Sequence, residues 1–124
     1  MGKNILIVED RLDTLNMMSF ALKQEGYPIF QAEDGKKAIK LIDTKNIDLV
    51  LLDLMLPKLS GEEVLEQIRA DKKNDKVKVI IITASKVSAV EMKSFKKKGA
   101  NGVLLKPLNV KDIVKQIKKA LGSK

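Results

Sequence analysis

The 124-residue chain contains no cysteine and no histidine, and these two absences exclude several kinds of chemistry. Without cysteine there are no disulfide bonds and no thiolate metal sites. Without histidine the chain lacks the commonest general base, the commonest zinc ligand and any phosphohistidine of its own. Its chemistry must therefore come from carboxylates, hydroxyls, lysines or a hard metal ion.

Long apolar runs are missing as well. No segment approaches the roughly 18 apolar residues of a membrane span. The four apolar residues before Glu9 are too few for the apolar region of a signal peptide. We therefore expect a cytoplasmic protein that does not enter a membrane. The length fits one domain, residues 1–124, and 44% apolar residues are enough for one sizeable core.

Four short runs of Ile, Leu and Val predict the strands of a sheet. They cover Ile5–Val8, 49–52, 79–82 and 103–105. The runs are continuous rather than alternating, which is typical of parallel strands that are buried on both faces. A weaker and more polar run at residues 28–32 begins with a proline, which suits the start of an edge strand.

Stretches with apolar residues at helical spacing follow each of these runs. Their apolar positions are Leu15, Met18 and Leu22; Ala38, Ile39 and Ile42; Val64, Leu65 and Ile68; Val87, Val90 and Phe95; and Val110, Ile113, Val114, Ile117 and Leu121. Gly26 and Gly99 predict helix ends, whereas Asp34, Ser60 and Asn109 predict helix starts.

The alternation of strands and helices predicts the fold class. Five β–α units in series indicate an α/β fold, in which helices cover both faces of a parallel sheet. The polar segment 71–78 is predicted to be a loop, and the chain shows no internal repeat or linker.

Polar residues stand directly after four of the five predicted strands. They are Glu9 and Asp10 after the first strand, Asp53 after the third, Thr83 after the fourth and Lys106 after the fifth. The carboxyl ends of parallel strands share one edge of a sheet, so we expect these side chains to converge there. Each residue alone has an ordinary explanation as a turn, cap or solvated residue. Their combination at matching strand ends indicates a functional site.

The residue types of this set determine the chemistry that it can perform. Three neighbouring carboxylates repel one another, and a divalent cation removes that repulsion. Oxygen ligands point to Mg²⁺, Mn²⁺ or Ca²⁺, and a few carboxylates with room for water favour Mg²⁺. A carboxylate can also attack phosphorus and form an acyl phosphate. The cation and Lys106 would neutralise the transferred group, and Thr83 would hydrogen-bond one of its oxygens.

Four motifs in this order resemble those of the receiver domains of bacterial two-component response regulators. They are Ile5-Leu6-Ile7-Val8-Glu9-Asp10, Leu51-Leu52-Asp53-Leu54-Met55-Leu56-Pro57 with Gly61, Ile82-Thr83-Ala84 and Leu105-Lys106-Pro107. The resemblance covers essentially the whole chain and looks like the stand-alone, chemotaxis-regulator-like members. It implies a flavodoxin-like (βα)5 three-layer sandwich whose five parallel strands lie in the order 2-1-3-4-5.

The resemblance also implies how the acidic residues act. Asp53 would accept a phosphoryl group from a histidine kinase or a histidine phosphotransfer protein. Asp10 and Asp53 would bind Mg²⁺ directly, and Glu9 would hold a metal-bound water. The backbone carbonyl of Met55 would be a further metal ligand.

Roles for the remaining site residues follow from the same resemblance. Lys106 would bridge Asp53 or its phosphoryl group, and the Lys106–Pro107 peptide bond would be cis. Thr83 would move towards the phosphoryl group and relay the switch. The domain would not be an enzyme in the ordinary sense, because it would catalyse only its own phosphorylation and dephosphorylation.

Position 103 departs from the family pattern. Receivers often carry Tyr or Phe three residues before the site lysine, and this chain has Val103 there. The usual coupling between the threonine and a swinging aromatic ring is therefore not available in that form. Met55 and Ser85 occupy positions that often set the lifetime of the acyl phosphate in this family.

Lysines are concentrated on two predicted helices of this chain, whose formal net charge is +8. They are Lys93, Lys96, Lys97 and Lys98 on the fourth helix, and Lys111, Lys115, Lys118, Lys119 and Lys124 on the fifth helix and tail. The resemblance implies a protein target on the face of helix 4, strand 5 and helix 5, and an acidic target would suit it. The alternative is an ordinary solvated surface. Scarce aromatic residues argue against direct nucleic-acid binding.

Four other functions share part of this pattern. A haloacid-dehalogenase phosphatase needs a second Asp where Met55 stands, and methionine cannot move protons. A flavin-binding module needs a phosphate-binding loop after the first strand, where Glu9-Asp10-Arg11 would repel phosphate without a metal. A docking module that works without phosphorylation stays open, as does a receiver that buffers a kinase by trapping phosphate.

Overall fold

A computed structural model describes residues 3–84 and 88–122, which form a parallel five-stranded sheet between two layers of helices. The strands are β1 (Ile5–Val8), β2 (Ile29–Ala32), β3 (Leu49–Asp53), β4 (Lys78–Thr83) and β5 (Gly102–Leu105). They lie in the order β2-β1-β3-β4-β5, and each neighbouring pair is parallel. This confirms the predicted α/β class and strand order.

The helices form the two outer layers of the sandwich. They are α1 (Leu12–Gln24), α2 (Gly35–Thr44), α3 (Gly61–Ala70), α4 (Ala89–Lys97) and α5 (Val110–Ala120). Helices α1 and α5 pack on one face through a core that includes Leu15 and Ile117. Helices α2, α3 and α4 cover the other face through a core that includes Ile42, Leu65 and Phe95. None of the helices in the described ranges is long and apolar enough to cross a bilayer.

Strand residues alternate between the two cores, because successive side chains point to opposite faces of a sheet. In β1, Ile5 and Ile7 belong to the core under α1 and α5, whereas Leu6 and Val8 belong to the other core. All four side chains are completely buried. Burial on both faces explains why the strand sequences are continuous apolar runs.

The predicted helix boundaries are confirmed where polar caps and glycines mark them. The side chains of Asp34, Ser60 and Asn109 each accept a hydrogen bond from a backbone N–H in the first turn of the following helix. Gly26 and Gly99 follow α1 and α4 with φ angles of 93° and 104°. This left-handed conformation is the one that glycine adopts most readily at helix ends.

The predicted apolar face of the fourth helix is wrong at one position. Val90 is 77% exposed, and Phe95 is the buried residue of α4. Helix α4 begins only after the cap at Ser88, so Val90 lies in its first turn and points away from the sheet. Val87, the third predicted position, lies outside the described residues.

The predicted loop at residues 71–78 contains regular structure. It holds a short 3₁₀ helix, Lys72–Asn74, and its last residue begins β4. The guanidinium of Arg69 donates hydrogen bonds to the backbone carbonyl of Gly99 at 3.0 Å and to that of the last residue of the 3₁₀ helix at 2.9 Å. The half-buried Arg69 therefore organises this segment, and sequence spacing alone does not reveal it.

Candidate functional site

The carboxyl ends of four strands meet at one edge of the sheet, and each brings a polar residue. Glu9 follows β1 directly, and Asp53 is the last residue of β3. Asp53 pairs in register with Ile82, one residue before Thr83. Thr83 in turn pairs with the last residue of β5, so Lys106 follows at the same edge. The predicted convergence is therefore present in the structure.

Three carboxylates form an acidic cluster at this edge. One oxygen from each of Glu9, Asp10 and Asp53 lies within 4.8 Å of the others. The Asp53 residue is 1% exposed and Glu9 is completely buried, whereas Asp10 is exposed. Two carboxylates of the cluster are therefore buried, and the third is exposed to solvent.

Only one of the two carboxylate oxygens of Glu9 has a hydrogen-bond partner among the described residues. Its Oε2 atom accepts a hydrogen bond from the Arg11 N–H at 3.1 Å. Its Oε1 atom is buried and has no hydrogen-bond partner among the described residues. Burial, followed by the neighbouring Asp53 carboxylate, raises the pKa of Glu9 to about 7.

This arrangement fits a hard divalent cation. A buried carboxylate oxygen without a partner is costly, and a second buried carboxylate beside it adds repulsion. A cation held by oxygen ligands would remove both penalties. The donor set of Glu9, Asp10 and Asp53 contains only oxygen, which is the preference of Mg²⁺.

Both oxygens of Asp53 have fixed partners. Its Oδ2 atom accepts a hydrogen bond from Lys106 Nζ at 2.9 Å, and its Oδ1 atom accepts one from the Met55 N–H at 2.8 Å. The Lys106 side chain is 33% exposed and reaches into the cleft from the end of β5. The peptide bond between Lys106 and Pro107 is cis, which confirms that prediction.

Gly61 allows the loop after β3 to close against the strand. Its N–H donates a hydrogen bond to the Leu54 carbonyl at 3.1 Å. A Cβ atom at this position would lie 2.6 Å from Leu54 Cα and would also overlap the backbone carbonyl of Asp53. The sequence identified Gly61 only as part of a motif, and the structure supplies the steric reason for a glycine.

Lys58 in the same loop was not identified from the sequence. It has a φ angle of 69°, which is uncommon for a residue with a side chain. Its ammonium forms an ion pair with Asp34 at 3.3 Å, linking this loop to the start of α2. Nothing in the residue type of Lys58 signals this conformation.

Met55, which the resemblance links to the lifetime of the acyl phosphate, lies beside the cleft, and Val103, which it links to signal output, lies on a neighbouring face. The Met55 residue is 75% exposed beside Asp53. Val103 is partly buried and lines a groove of about 470 Å³ together with Leu108 and Lys119. Ser85 lies outside the described residues.

The metal-free protein should lose stability as Glu9 ionises. An ordinary Glu loses its proton near pH 4.5, whereas folded Glu9 does so near pH 7. Between these values the folded state binds the extra proton, so the free energy of unfolding falls as the pH rises through this window. The expected loss is on the order of 3 kcal/mol. Urea unfolding in EDTA at pH 5 and pH 8 measures it.

Two variants assign this pH dependence to Glu9. Glu9→Gln should remove most of the slope, because an amide does not titrate. Glu33→Gln, the same change at an exposed position, should leave the slope intact. An equally steep slope in Glu9→Gln would show that another group is responsible.

Comparisons with known proteins identify the class. The model of the response regulator receiver domain family matches residues 5–118. The chain belongs to this family, and it is therefore a receiver domain of two-component signalling.

Individual relatives agree with this assignment. The chain is 32% identical over 126 residues to the alkaline phosphatase synthesis transcriptional regulatory protein PhoP of Bacillus subtilis (strain 168). That alignment covers 98% of this chain and 49% of that protein, so the chain spans about half the length of this curated relative.

Two solved structures show the same fold. A CheY-like response regulator receiver domain protein from Methanospirillum hungatei JF-1 is 30% identical with a TM-score of 0.88, covering 98% of this chain and 95% of that one. The receiver domain of sensor histidine kinase PA1611 from Pseudomonas aeruginosa PAO1 is 27% identical with a TM-score of 0.87. It covers 99% of this chain and 100% of that one, and it is described with a magnesium ion in its active-site cleft.

Proposed function

We propose that this receiver accepts a phosphoryl group on Asp53 in a Mg²⁺-dependent step and thereby switches its contacts with other proteins. The donor would be a phosphohistidine of a histidine kinase or of a histidine phosphotransfer protein. The observation that best supports this proposal is the setting of Asp53, a buried carboxylate held 2.9 Å from Lys106 Nζ beside two further carboxylates. The proposed receiver unit covers residues 1–124 and works in the cytoplasm.

The proposed reaction needs little covalent chemistry from the protein. A carboxylate oxygen of Asp53 attacks phosphorus while the P–N bond to the donor imidazole breaks and the nitrogen keeps the bonding pair. Lys106 lies close enough to the carboxylate to donate a hydrogen bond to an oxygen of the transferred group. Thr83, at the end of the neighbouring strand, would offer its hydroxyl to a second oxygen. The domain promotes only its own phosphorylation and dephosphorylation.

Glu9, Asp10 and Asp53 would hold Mg²⁺, and the Met55 carbonyl would be a further ligand. When bound, the ion supplies positive charge that offsets the negative charge of the carboxylates and of the phosphoryl oxygens. The unpartnered Oε1 atom of buried Glu9 supports this assignment. The magnesium ion described for the Pseudomonas aeruginosa receiver supports it by analogy.

The proposed output surface is the face formed by α4, β5 and α5. It carries the groove beside Val103 and the exposed lysines of both helices. Lys98 is already paired with Glu62 at 2.7 Å, and Lys118 with Glu25 at 3.6 Å, so the remaining lysines would attract an acidic protein target. The proposal includes neither nucleic acid nor a membrane as a partner.

Phosphorylation by a small donor tests the proposed function. The protein is incubated with acetyl phosphate in Mg²⁺ or in EDTA, and intact-mass spectrometry counts the added phosphoryl groups. We expect one base-labile group in Mg²⁺ and none in EDTA. No phosphorylation by acetyl phosphate or by a panel of histidine kinases would contradict the proposal and favour a docking module that works without phosphorylation.

Lys106→Ala should slow phosphorylation by acetyl phosphate by about a hundredfold, because it removes the positive charge that would stabilise the transferred phosphoryl group. The measurement is the initial rate of phosphoprotein formation by intact mass. Lys45→Ala, which removes an exposed lysine far from the cleft, is the matched control and should keep the wild-type rate. Equal rates in both variants would rule out the proposed role of Lys106.

A further inference from the structure

The outer edge of β5 is bordered by a groove that the proposed phosphoryl-transfer site does not use. β5 is the last strand of the sheet, and no described strand pairs with its outer side. Two cavities of about 470 and 380 Å³ lie along it, and both are lined by Val103, Gln116 and Lys119. Because they share these residues, they form one groove between Met92 of α4 and Gln116 of α5, which we call the β5 groove.

The backbone of β5 offers hydrogen-bonding groups to this groove. The Lys106 N–H donates to the Thr83 carbonyl of β4 at 2.9 Å. Backbone groups point alternately to the two sides of a strand, so those of Leu104 also face β4. The N–H and C=O groups of Val103 and Leu105 therefore face the open side. A strand edge of this kind can pair with one further strand.

Lysines surround the β5 groove. Lys78 and Lys96 line one half, Lys115 lines the other half, and Lys119 lines both. None of the four forms an ion pair with a described residue. Asp112 is the one acidic residue among the described residues that line the groove. This charge favours an acidic occupant, and it repels a second copy of the same surface.

We propose that the β5 groove binds an extended, acidic segment of a target protein, which pairs with β5 as a sixth strand. The inference rests on the proposed function, because it names the kind of target that the proposed output surface accepts. The outward N–H and C=O groups of Val103 and Leu105 would bond to the backbone of this segment. The four residues of β5 span about 13 Å, which matches a short strand of the partner.

The two walls of the groove predict the sequence pattern of the partner. Successive side chains of an added strand point to opposite faces of the sheet. On the α4 face they would lie beside Val103 and Met92, which suits β-branched residues. On the α5 face they would lie beside Lys115 and Lys119, which suits Glu or Asp. We therefore expect acidic residues to alternate with Val, Ile or Thr in the bound segment.

Titration with synthetic peptides tests the charge and the pattern. The probes are fluorescein-labelled heptapeptides in which Glu alternates with Val, Ile or Thr, and fluorescence anisotropy measures their binding to the full chain. We expect a dissociation constant on the order of 10–100 μM, because one added strand buries a small surface. The same peptides with Lys in place of Glu should not bind. Absence of binding by every acidic probe up to millimolar concentration would overturn the proposal.

A pair of charge-reversal variants places the binding site on the protein. Lys119→Glu should raise the dissociation constant of the acidic peptides at least about tenfold, because it reverses a charge in both halves of the groove. Lys40→Glu makes the same change at an exposed position of α2 and should leave the constant unchanged. Equal weakening in the two variants would show that only the net charge of the domain matters, and the proposal would be wrong.

N-methylation of the peptide tests strand pairing without altering the protein. Methyl groups on alternate amides block one edge of an extended peptide, and only one edge would face β5. One methylation register should therefore abolish binding, and the other should preserve it. Equal effects of the two registers would overturn strand pairing. A gain of helical circular dichroism on binding would likewise show that the occupant is a helix.

Amide hydrogen exchange locates the paired strand. Bound peptide should slow exchange of the outward Val103 and Leu105 amides at least about tenfold, whereas the Leu104 amide, which faces β4, should not change. Protection confined to helix amides would contradict the proposal. A dimer in sedimentation equilibrium of the wild type that acidic peptide fails to dissociate would show that a second copy covers the edge, and the proposal would be wrong.

Asp53→Asn separates this inference from the proposed function. The variant lacks the proposed phosphoacceptor but keeps the groove, so it should bind the acidic peptides as tightly as the unphosphorylated wild type. Peptide binding by a wild-type chain that accepts no phosphoryl group would contradict the proposed function alone. Phosphorylation of the wild type without peptide binding in either state would contradict the inference alone.

Discussion

Asp53→Asn should accept no phosphoryl group from acetyl phosphate or from a phosphohistidine donor, although it should fold as well as the wild type. A carboxamide is too weak a nucleophile to form the acyl phosphate. Its oxygen can still accept the hydrogen bond that the Met55 N–H donates at 2.8 Å. The Lys106 side chain is 33% exposed, so its ammonium can turn towards water.

The same variant should change the charge balance of the cleft. The neighbouring Asp53 carboxylate raises the pKa of Glu9, in addition to the larger effect of burial. Without that carboxylate, the pKa of Glu9 should fall and the metal-free protein should gain about 1 kcal/mol of stability at neutral pH. Urea unfolding in EDTA at pH 7.5 measures this gain.

Intact-mass spectrometry after incubation with acetyl phosphate and Mg²⁺ measures the loss of phosphorylation in Asp53→Asn. The matched control is Asp43→Asn, the same change at a carboxylate that is 46% exposed on α2. This control should still gain one phosphoryl group. A phosphoryl group on the Asp53→Asn protein would place the acceptor elsewhere.

Gly61→Ala should destabilise the domain by about 3 kcal/mol and slow phosphorylation. The added methyl group would lie 2.6 Å from Leu54 Cα and against the Asp53 carbonyl, and both are backbone atoms that cannot move independently. Overpacking of this kind costs roughly 1–3 kcal/mol even where side chains can adjust. Movement of the backbone away from the methyl group would displace the loop that begins at Asp53, the proposed phosphoacceptor. Urea unfolding and the initial rate with acetyl phosphate measure the two effects.

Gly102→Ala provides the comparison for this steric argument. Its new methyl group would approach the Gln116 side-chain oxygen at 2.9 Å, and the end of a flexible side chain can move away. We expect a change well below that of Gly61→Ala and a normal phosphorylation rate. Similar losses of stability in the two variants would show that backbone overlap is not the cause.

The sequence predicted the architecture because the three central strands are buried on both faces. Continuous apolar runs such as Ile5–Val8 are typical of that kind of burial, and their alternation with helical patterns indicated the β–α order. The same rule located the site, since every strand end of a parallel sheet lies at one edge. The predicted convergence of Glu9, Asp53 and Lys106 is seen in the structure for this reason.

The remaining details depend on tertiary contacts that residue spacing does not encode. Val90 has helical spacing, but α4 begins too late for that residue to reach the core. Arg69 turns a polar segment into an ordered one through bonds to distant carbonyls. The unpartnered oxygen of Glu9 and the positive φ angle of Lys58 likewise follow from how the loops close around the cleft.

The identity of the residue that carries the phosphoryl group is the most direct test of the proposed mechanism. The phosphorylated protein would be treated with borohydride, which reduces an aspartyl phosphate to homoserine, and peptide mass spectrometry would locate the changed position. We predict homoserine at position 53 and aspartate unchanged at position 10. Homoserine at position 10, or a phosphoprotein that yields no homoserine at all, would contradict the assignment of Asp53 as the phosphoacceptor.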